Sequence, residues 1–436
     1  MRIFPFQSRR GHHVLIVPHS RIFDVVAADG DDVGDGGDAA PGLPELDAAL
    51  FDAAVGEEPL STIPEPAPQS ISLNVSNRCN LGCGYCYAAQ GGFQGAQPSP
   101  MDQDTARRAI DRLVAVADAS RPITIGFLGG EPFANRALIH WIVGYGDDLA
   151  RRSALDVRYS VTTNGTLLNP ADLELLRSRG FAVTVSIDGG AEVHDAQRPR
   201  PLGKRVGGSW AQVVEHVRPL LENPGRARIC ARATVTNRNL DVAAHLRSLV
   251  EVGFTEVGFA PLRTGPSQAG ALRDVDWPVY LDALIAASRP EVARLHAGEP
   301  SRLSNLAIAL KQLHRGASSP YPCGAGGGYF SVSAEGRWYA CHRAIGDPAF
   351  ELGTSTGLDV ERRRAFLTAR HVDAQVDCRS CWARYLCSGG CHQEASARTP
   401  PSCDFIRGWL EFCLSTYCEL GAVTPDIRTG VEEGVP

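Results

Sequence analysis

At 436 residues, 44% of them hydrophobic, the chain can bury a large core and needs no disulfide staples to fold. A formal net charge of −6 gives no basic field for nucleic acid, and no run approaches the ~18 apolar residues of a membrane span, so neither nucleic acid nor membrane is an expected partner. A cytoplasmic location is the resulting expectation, and in that reducing compartment thirteen cysteines read as metal ligands rather than as disulfides.

Residues 1–69 open with two strand-like runs, HHVLIVP and RIFDVVA, and continue into an acidic, glycine-rich tract, ADGDDVGDGGDAAPG, which lacks the ligand spacing and terminal Glu of a calcium loop. A short helix, PELDAALFDAAVG, and a Pro-rich linker, IPEPAPQ, complete this β-rich extension. From 71 onward short apolar runs alternate with helical stretches, the pattern of βα units on a parallel sheet. Strands are expected at 71–76, 123–128, 157–162, 182–187, 228–234 and 256–260. Helices are expected near 102–119, 136–152, 170–179, 209–222 and 239–252, with Asp102 and Asn169 placed to cap two of them. Six units fall short of the eight of a closed barrel, so the predicted fold class is α/β, a partial (β/α)6 TIM-like barrel over 70–265 with its site at the C-terminal strand ends. Two helices, near 277–297 and 303–315, form most of a bridge over 266–322. A cysteine-rich domain over 323–436 holds a hairpin, YFSVSA with RWYACH, and closes on a helical run, FIRGWLEFCLSTYCEL.

Cys79, Cys83 and Cys86 form CxxxCxxC directly after the first barrel strand. Three thiolates on one tight loop can hold three irons of a [4Fe–4S] cube and leave the fourth iron open to an outside ligand. A structural zinc asks for four closed ligands, and this loop contains no His to serve as the fourth.

At these residues the chain resembles the radical S-adenosylmethionine (radical SAM) superfamily. Gly129, Gly130, Glu131 and Pro132, after the second strand, resemble that family's GGEP turn, whose backbone and Glu hold the methionyl amino group. Tyr85 matches the aromatic position associated with the adenine, and Asn164 lies in TTNGTLL at the end of the third strand. Ser186 and Asp188, in SIDG at the end of the fourth, resemble the ribose-binding positions, and Arg232 on the fifth is a candidate for the methionyl carboxylate. Each motif alone is weak, since Gly-Gly-Glu-Pro is an ordinary turn and Ser or Asp commonly closes a strand. Their order on successive βα units is what makes chance agreement improbable.

Of the other cysteines, one stands at 323 and eight lie between 341 and 418. Cys378, Cys381, Cys387 and Cys391 follow CxxCx5CxxxC, and with Cys323, Cys341 and Cys403 they resemble the SPASM extension of the same superfamily, which carries two auxiliary iron–sulfur clusters. The resemblance implies Cys378, Cys381, Cys387 and Cys403 around one auxiliary [4Fe–4S] cluster, and Cys323, Cys341 and Cys391 around another with one iron open. Cys413 competes with Cys403 as a ligand, while Cys230 and Cys418 read as core residues and His342 as a base, a ligand or a neighbour of one. Paired CxxC motifs in isolation are zinc-like, an alternative that the upstream pattern outweighs.

The resemblance implies reductive cleavage of S-adenosylmethionine to a 5′-deoxyadenosyl radical, which abstracts hydrogen from a substrate carbon. The segments LNVSNRCNLGCGYCYAAQGGF, HDAQRPRPLGKRVGGSW and ACHRAIGD most resemble maturases that crosslink ribosomally made peptides through thioether or cyclophane bonds. The expected partners are a precursor peptide, leader plus core, and an electron donor such as flavodoxin or ferredoxin. Residues 1–69 are a candidate leader-binding element that adds the peptide to a sheet edge. Oxidation of a sulfatase Ser or Cys to formylglycine is a second enzymatic reading, and a non-catalytic metal-binding or electron-transfer scaffold is a third.

Overall fold

The computed structural model describes residues 3–17, 20–25, 66–93, 99–153, 155–201, 208–263, 270–316 and 319–421. The expected helix in PELDAALFDAAVG and the acidic tract before it lie outside these residues.

Three short strands, β1 (Ile3–Ser8), β2 (Gly11–Ile16) and β3 (Arg21–Asp24), form an antiparallel sheet in that order. The first was not anticipated, because Pro5 interrupts the apolar run. Proline is tolerated there because β1 is an edge strand of its sheet.

All six barrel strands form where they were expected: β4 (Ser70–Ser76), β5 (Ile123–Gly129), β6 (Val157–Thr163), β7 (Ala182–Ser186), β8 (Arg228–Val235) and β9 (Val257–Pro261), each paired in parallel with the next. The connecting helices are α1 (Gln103–Val116), α2 (Arg136–Ser153), α3 (Pro170–Arg179), α4 (Ala191–Gln197), α5 (Trp210–Glu222) and α6 (Val242–Val252). Asp102 accepts from the Thr105 amide, and Asn169 makes a reciprocal capping box with Asp172, so both expected caps operate. The last of these helices begins three residues later than expected. Asn239 is drawn into a turn with Thr236, and Asp241 caps the helix instead.

Two faces of the sheet differ in a way that defines the molecule. Ile71, Leu73, Val75, Ile125, Phe127, Val161, Val183, Val185, Ala231 and Ala233 point outward and are buried beneath the helices. The alternate positions, in register across the sheet, are small or polar: Ser72 opposite Gly126, Gly126 opposite Ser160, Thr162 opposite Thr184, Ser186 opposite Arg232, and Arg232 opposite Gly258. A closed barrel of this kind fills its interior with branched apolar side chains. Small and polar groups here leave an interior that can accept a polar ligand.

After α7 (Asp276–His296) and α8 (Ser304–His314), the expected hairpin forms as β10 (Tyr329–Val332) and β11 (Trp338–Tyr339), followed by β12 (Glu351–Thr354) and β13 (Gly357–Leu358). The hairpin extends the barrel sheet itself, with β10 parallel to β4 and Tyr329 opposite Ser70, in a ten-stranded order β13-β12-β11-β10-β4-β5-β6-β7-β8-β9. The cysteine-rich region is thus hydrogen-bonded to the strand that precedes the first cysteine loop. Helix α9 (Val360–Arg370) follows, and α10 (Pro400–Leu420) packs against α7, α8 and β1. No helix among the described residues is long and apolar enough to cross a membrane.

Candidate active site and cysteine clusters

β4 runs straight into the loop carrying Cys79, Cys83 and Cys86, and the glycines after β5 pack directly beneath it. Gly130 donates its amide to Ser76 and Glu131 donates to the Arg78 carbonyl, both at 2.8 Å. A Cβ on Gly130 would stand 2.4 Å from the Arg78 carbonyl oxygen, and one on Gly129, whose φ is +142°, would stand 2.5 Å from that of Ser76. Only glycine permits this approach. Pro132 is buried and opens a short 3-10 turn behind it.

Glu131 is fully buried, and both of its oxygens are engaged. One accepts from the Thr163 hydroxyl at 2.7 Å and the Phe133 amide at 3.1 Å, the other from the Asn164 amide at 2.8 Å. Burial pushes its carboxyl up to about 7 against the pull of these donors. The side chain therefore fixes the turn after β6. From that turn Asn164 bonds Asn80 in the cysteine loop at 2.9 Å and reaches Cys79 Sγ at 3.8 Å.

Asp188 centres a second network. Its fully buried carboxylate takes a bidentate pair from Arg198 at 2.8 and 2.9 Å, the Tyr85 hydroxyl at 2.6 Å and the Thr234 amide at 2.8 Å. Arg198 also stacks over the Tyr85 ring, 5.4 Å from its centre. Tyr85 is thereby held rigidly between Cys83 and Cys86. Ser186 and Arg232 face one another across β7 and β8 at the barrel mouth, and Arg232 is exposed.

Burial above all pushes the Cys79 thiol up to about 12 and Cys83 up to about 11; Cys86 contributes to both rises and Cys83 to that of Cys79. Such thiols become thiolates only against a metal's positive charge. Among the described residues no three His, Cys, Asp or Glu side chains converge on a point one metal ion could occupy. The three thiols influence one another, and three such ligands on one tight loop suit a cube with one open iron, whereas a structural zinc asks for a fourth.

The C-terminal cysteines fall into two groups. Cys387 is influenced by Cys378, Cys381 and Cys403, and Cys378 by Cys381 and Cys403. Cys341, in turn, is influenced by Cys391 and Cys323. Cys413 is fully buried with no thiol beside it, and burial alone raises it. Arg343 lies between the C-terminal groups and the barrel mouth: it pairs with buried Glu394 at 2.7 Å, approaches Cys391 Sγ at 4.0 Å, and covers the ring of Tyr87. His342 packs edge-on against Tyr87 and bonds Tyr329, which in turn bonds Ser72 on β4. The first cysteine loop and the Cys341 turn are thus in side-chain contact.

Asn80, Arg198, Tyr87 and Glu394 were not singled out from sequence. Arg198 stands in HDAQRPRP, a segment conspicuous as a unit, but its pairing with Asp188 depends on how α4 folds back.

Residues 73–239 match the Radical SAM superfamily. The chain is 40% identical over 134 residues to the uncharacterized protein MJ0907 of Methanocaldococcus jannaschii, spanning 31% of this chain and 43% of that one. It is 25% identical over 366 residues to the serine-type anaerobic sulfatase-maturating enzyme of Klebsiella aerogenes, covering 78% of this chain and 84% of that protein. In fold it resembles anSMEcpe solved with AdoMet and the Cp18Cys peptide, with a TM-score of 0.66 and 19% identity over 81% of this chain and 99% of that one. It also resembles Streptococcus suis SuiB bound to precursor peptide SuiA, with a TM-score of 0.54 and 11% identity over 92% and 97% of the two chains. The fold shared with these neighbours includes the C-terminal SPASM-type region. Residues 73–239 thus form a radical SAM domain, a family that binds a [4Fe–4S] cluster and S-adenosylmethionine.

Proposed function

We propose that this protein is a peptide maturase that forms an intrapeptide carbon–carbon or thioether crosslink. The observation that carries the reading is the side-chain contact between the cysteine loop at the polar barrel mouth and a second cysteine turn, Tyr87 against His342. Closing a bond between two saturated positions removes two hydrogens. One leaves as an atom, the other as a proton and an electron, and the electron needs an acceptor beside the substrate. When bound, the first cluster and S-adenosylmethionine supply the radical that takes the hydrogen atom.

In this reading Cys79, Cys83 and Cys86 hold the first cluster. Gly129–Pro132, Asn164, Ser186, Arg232 and the Tyr85–Asp188 pair shape the S-adenosylmethionine site, the glycine-turn backbone receiving the methionyl amino group and Arg232 its carboxylate. Cys323, Cys341 and Cys391 hold one auxiliary cluster, and Cys378, Cys381, Cys387 and Cys403 the other. A flavodoxin or ferredoxin type of donor supplies the reducing electron. The match to SuiB with its precursor peptide, which takes in 92% of this chain, supports a peptide substrate. Formylglycine formation is the second reading, supported by the 366-residue similarity to a sulfatase-maturating enzyme.

The test is anaerobic. Reconstituted protein, S-adenosylmethionine, a strong reductant and a candidate precursor peptide are incubated together, and 5′-deoxyadenosine and peptide mass are followed. A crosslink lowers the mass by two hydrogens per bond and survives hydrazide treatment, whereas formylglycine is trapped as a hydrazone. Cys83→Ala abolishes both deoxyadenosine and product and removes about a third of the iron, one cluster of three. Deoxyadenosine formation by that variant would remove Cys83 from the site.

A further inference from the structure

The two auxiliary cysteine groups and the barrel loop differ in what donates to their sulfurs. Around Cys79 and Cys86 the donors are neutral: the Asn164 amide nitrogen at 3.8 Å and the Gln90 backbone at 3.4 Å. Arg198, the cation Cys83 senses, is already committed to Asp188. Around Cys378 the donor is a guanidinium. Arg398 Nη1 lies 3.1 Å from Cys378 Sγ and 2.9 Å from the Gly389 carbonyl, its Nη2 bonds Gln375 Oε1 at 2.7 Å, and its Nε bonds the Ala395 carbonyl at 3.2 Å.

The surrounding backbone is shaped to hold this arrangement. Ser388, Gly389 and Gly390 are consecutive left-handed residues, a sharp turn that aims the Gly389 carbonyl at Arg398. A Cβ on Gly389 would meet the Gln375 amide nitrogen at 2.6 Å, so the glycine also makes room for the residue that clamps the guanidinium. Gln375 is itself anchored to the Arg370 carbonyl at 2.9 Å. From α10, Arg407, which pairs with Asp404 one turn before it, lies near enough to Cys381 of the same group for its charge to act on that thiol. A guanidinium with this many fixed acceptors cannot swing away, so its charge is a permanent feature of the site.

Cluster potentials follow net charge and hydrogen bonds to the sulfurs, and a fixed cationic donor favours the reduced, more negative state. We propose that Arg398, seconded by Arg407, sets the reduction potential of the cluster held by Cys378, Cys381, Cys387 and Cys403 above that of the barrel cluster. This rests on the ligand sets given under the proposed function. Arg398 is a positioning residue in this assignment: it acts through sulfur and touches no substrate.

The experiment is an EPR-monitored redox titration of the full-length reconstituted protein, with iron counted in each sample. In Arg398→Gln one reduction step moves to more negative potential, Arg398→Lys moves it less, and the step whose signal responds to added S-adenosylmethionine stays in place. Arg407→Gln, at a half-buried position on α10, moves the same step in the same direction. Unmoved potentials in Arg398→Gln at full iron content overturn the proposal. Should Arg398→Gln shed iron, Arg407→Gln decides, and an unmoved step there at full iron overturns it equally. A wild-type protein that binds zinc and no iron refutes the cluster reading, a result distinct from full iron with unmoved potentials.

Discussion

The barrel mouth and the cysteine-rich domain both gather thiols, yet they handle charge in opposite ways. At the mouth the buried aspartates are balanced before any ligand arrives, Asp188 by Arg198 and Asp172 by Arg136 with His140 beside it, while Glu131 is held by neutral donors alone. In the C-terminal region guanidiniums are turned onto sulfur, Arg398 toward Cys378 and Arg343 toward Cys391. The first arrangement builds a rigid, electrically quiet seat for a cofactor that brings its own charges. The second keeps positive charge next to groups that gain or lose electrons. Ligand spacing along the chain is similar in the two regions, so spacing alone does not tell their roles apart.

The sharpest way to break the comparison is to unbalance the mouth. Asp188→Asn strands Arg198 in a site where the ion pair is buried on both sides, 9% and 0% exposed. Removing one member of such a pair costs about 3–5 kcal/mol. Chemical denaturation reads this as a lowered midpoint with an unchanged slope. If stability holds, the network at Tyr85 is dispensable and the Asp188–Arg198 pair does not stabilise the mouth.

A smaller effect comes from Glu131, whose carboxyl burial raises from its ordinary 4.5 to about 7. Folding disfavours its ionised form, so this contribution to stability is complete below pH 4.5 and is lost as pH rises toward 7. At ~1.4 kcal/mol per unit the loss is on the order of 3 kcal/mol. Glu131→Gln flattens that slope, at a constant cost of roughly 1–3 kcal/mol for the Asn164 amide or Thr163 hydroxyl it leaves unserved. A wild-type stability curve that rises across this range would show that the hydrogen bonds outweigh burial.

The positions of the barrel strands were legible because their buried face is an unbroken series such as Ile71, Leu73 and Val75, bounded by turns. The cysteine loop and the glycine turn were legible for a local reason too: each is a contiguous motif whose geometry is set within a few residues. What stayed hidden depends on distance along the chain. Tyr329 pairs with Ser70 across more than 250 residues, and no periodicity in YFSVSA announces that this hairpin completes the barrel sheet rather than a separate one. Arg198 was hidden for the converse reason, since an Arg in a Pro-rich turn looks solvated until α4 folds it under Asp188. The choice between Cys403 and Cys413 was beyond spacing altogether, because it turns on helix phase.

That choice supplies the smallest expected effect and the cleanest contrast. Both cysteines lie on α10, ten residues and nearly three turns apart. Cys403 stands in the first turn, directed to Cys378 and Cys387, while Cys413 is at 0% exposure among Leu410, Leu414 and their neighbours. A thiol so placed behaves as a small apolar side chain. Cys413→Ala therefore leaves iron content and all redox steps unchanged and lowers stability by about 1 kcal/mol, the cost of a small cavity. Cys403→Ala strips one cluster's worth of iron with little direct effect on core packing. Iron loss from Cys413→Ala with Cys403→Ala intact would reverse the assignment and place the fourth thiol of that group on the buried face of α10.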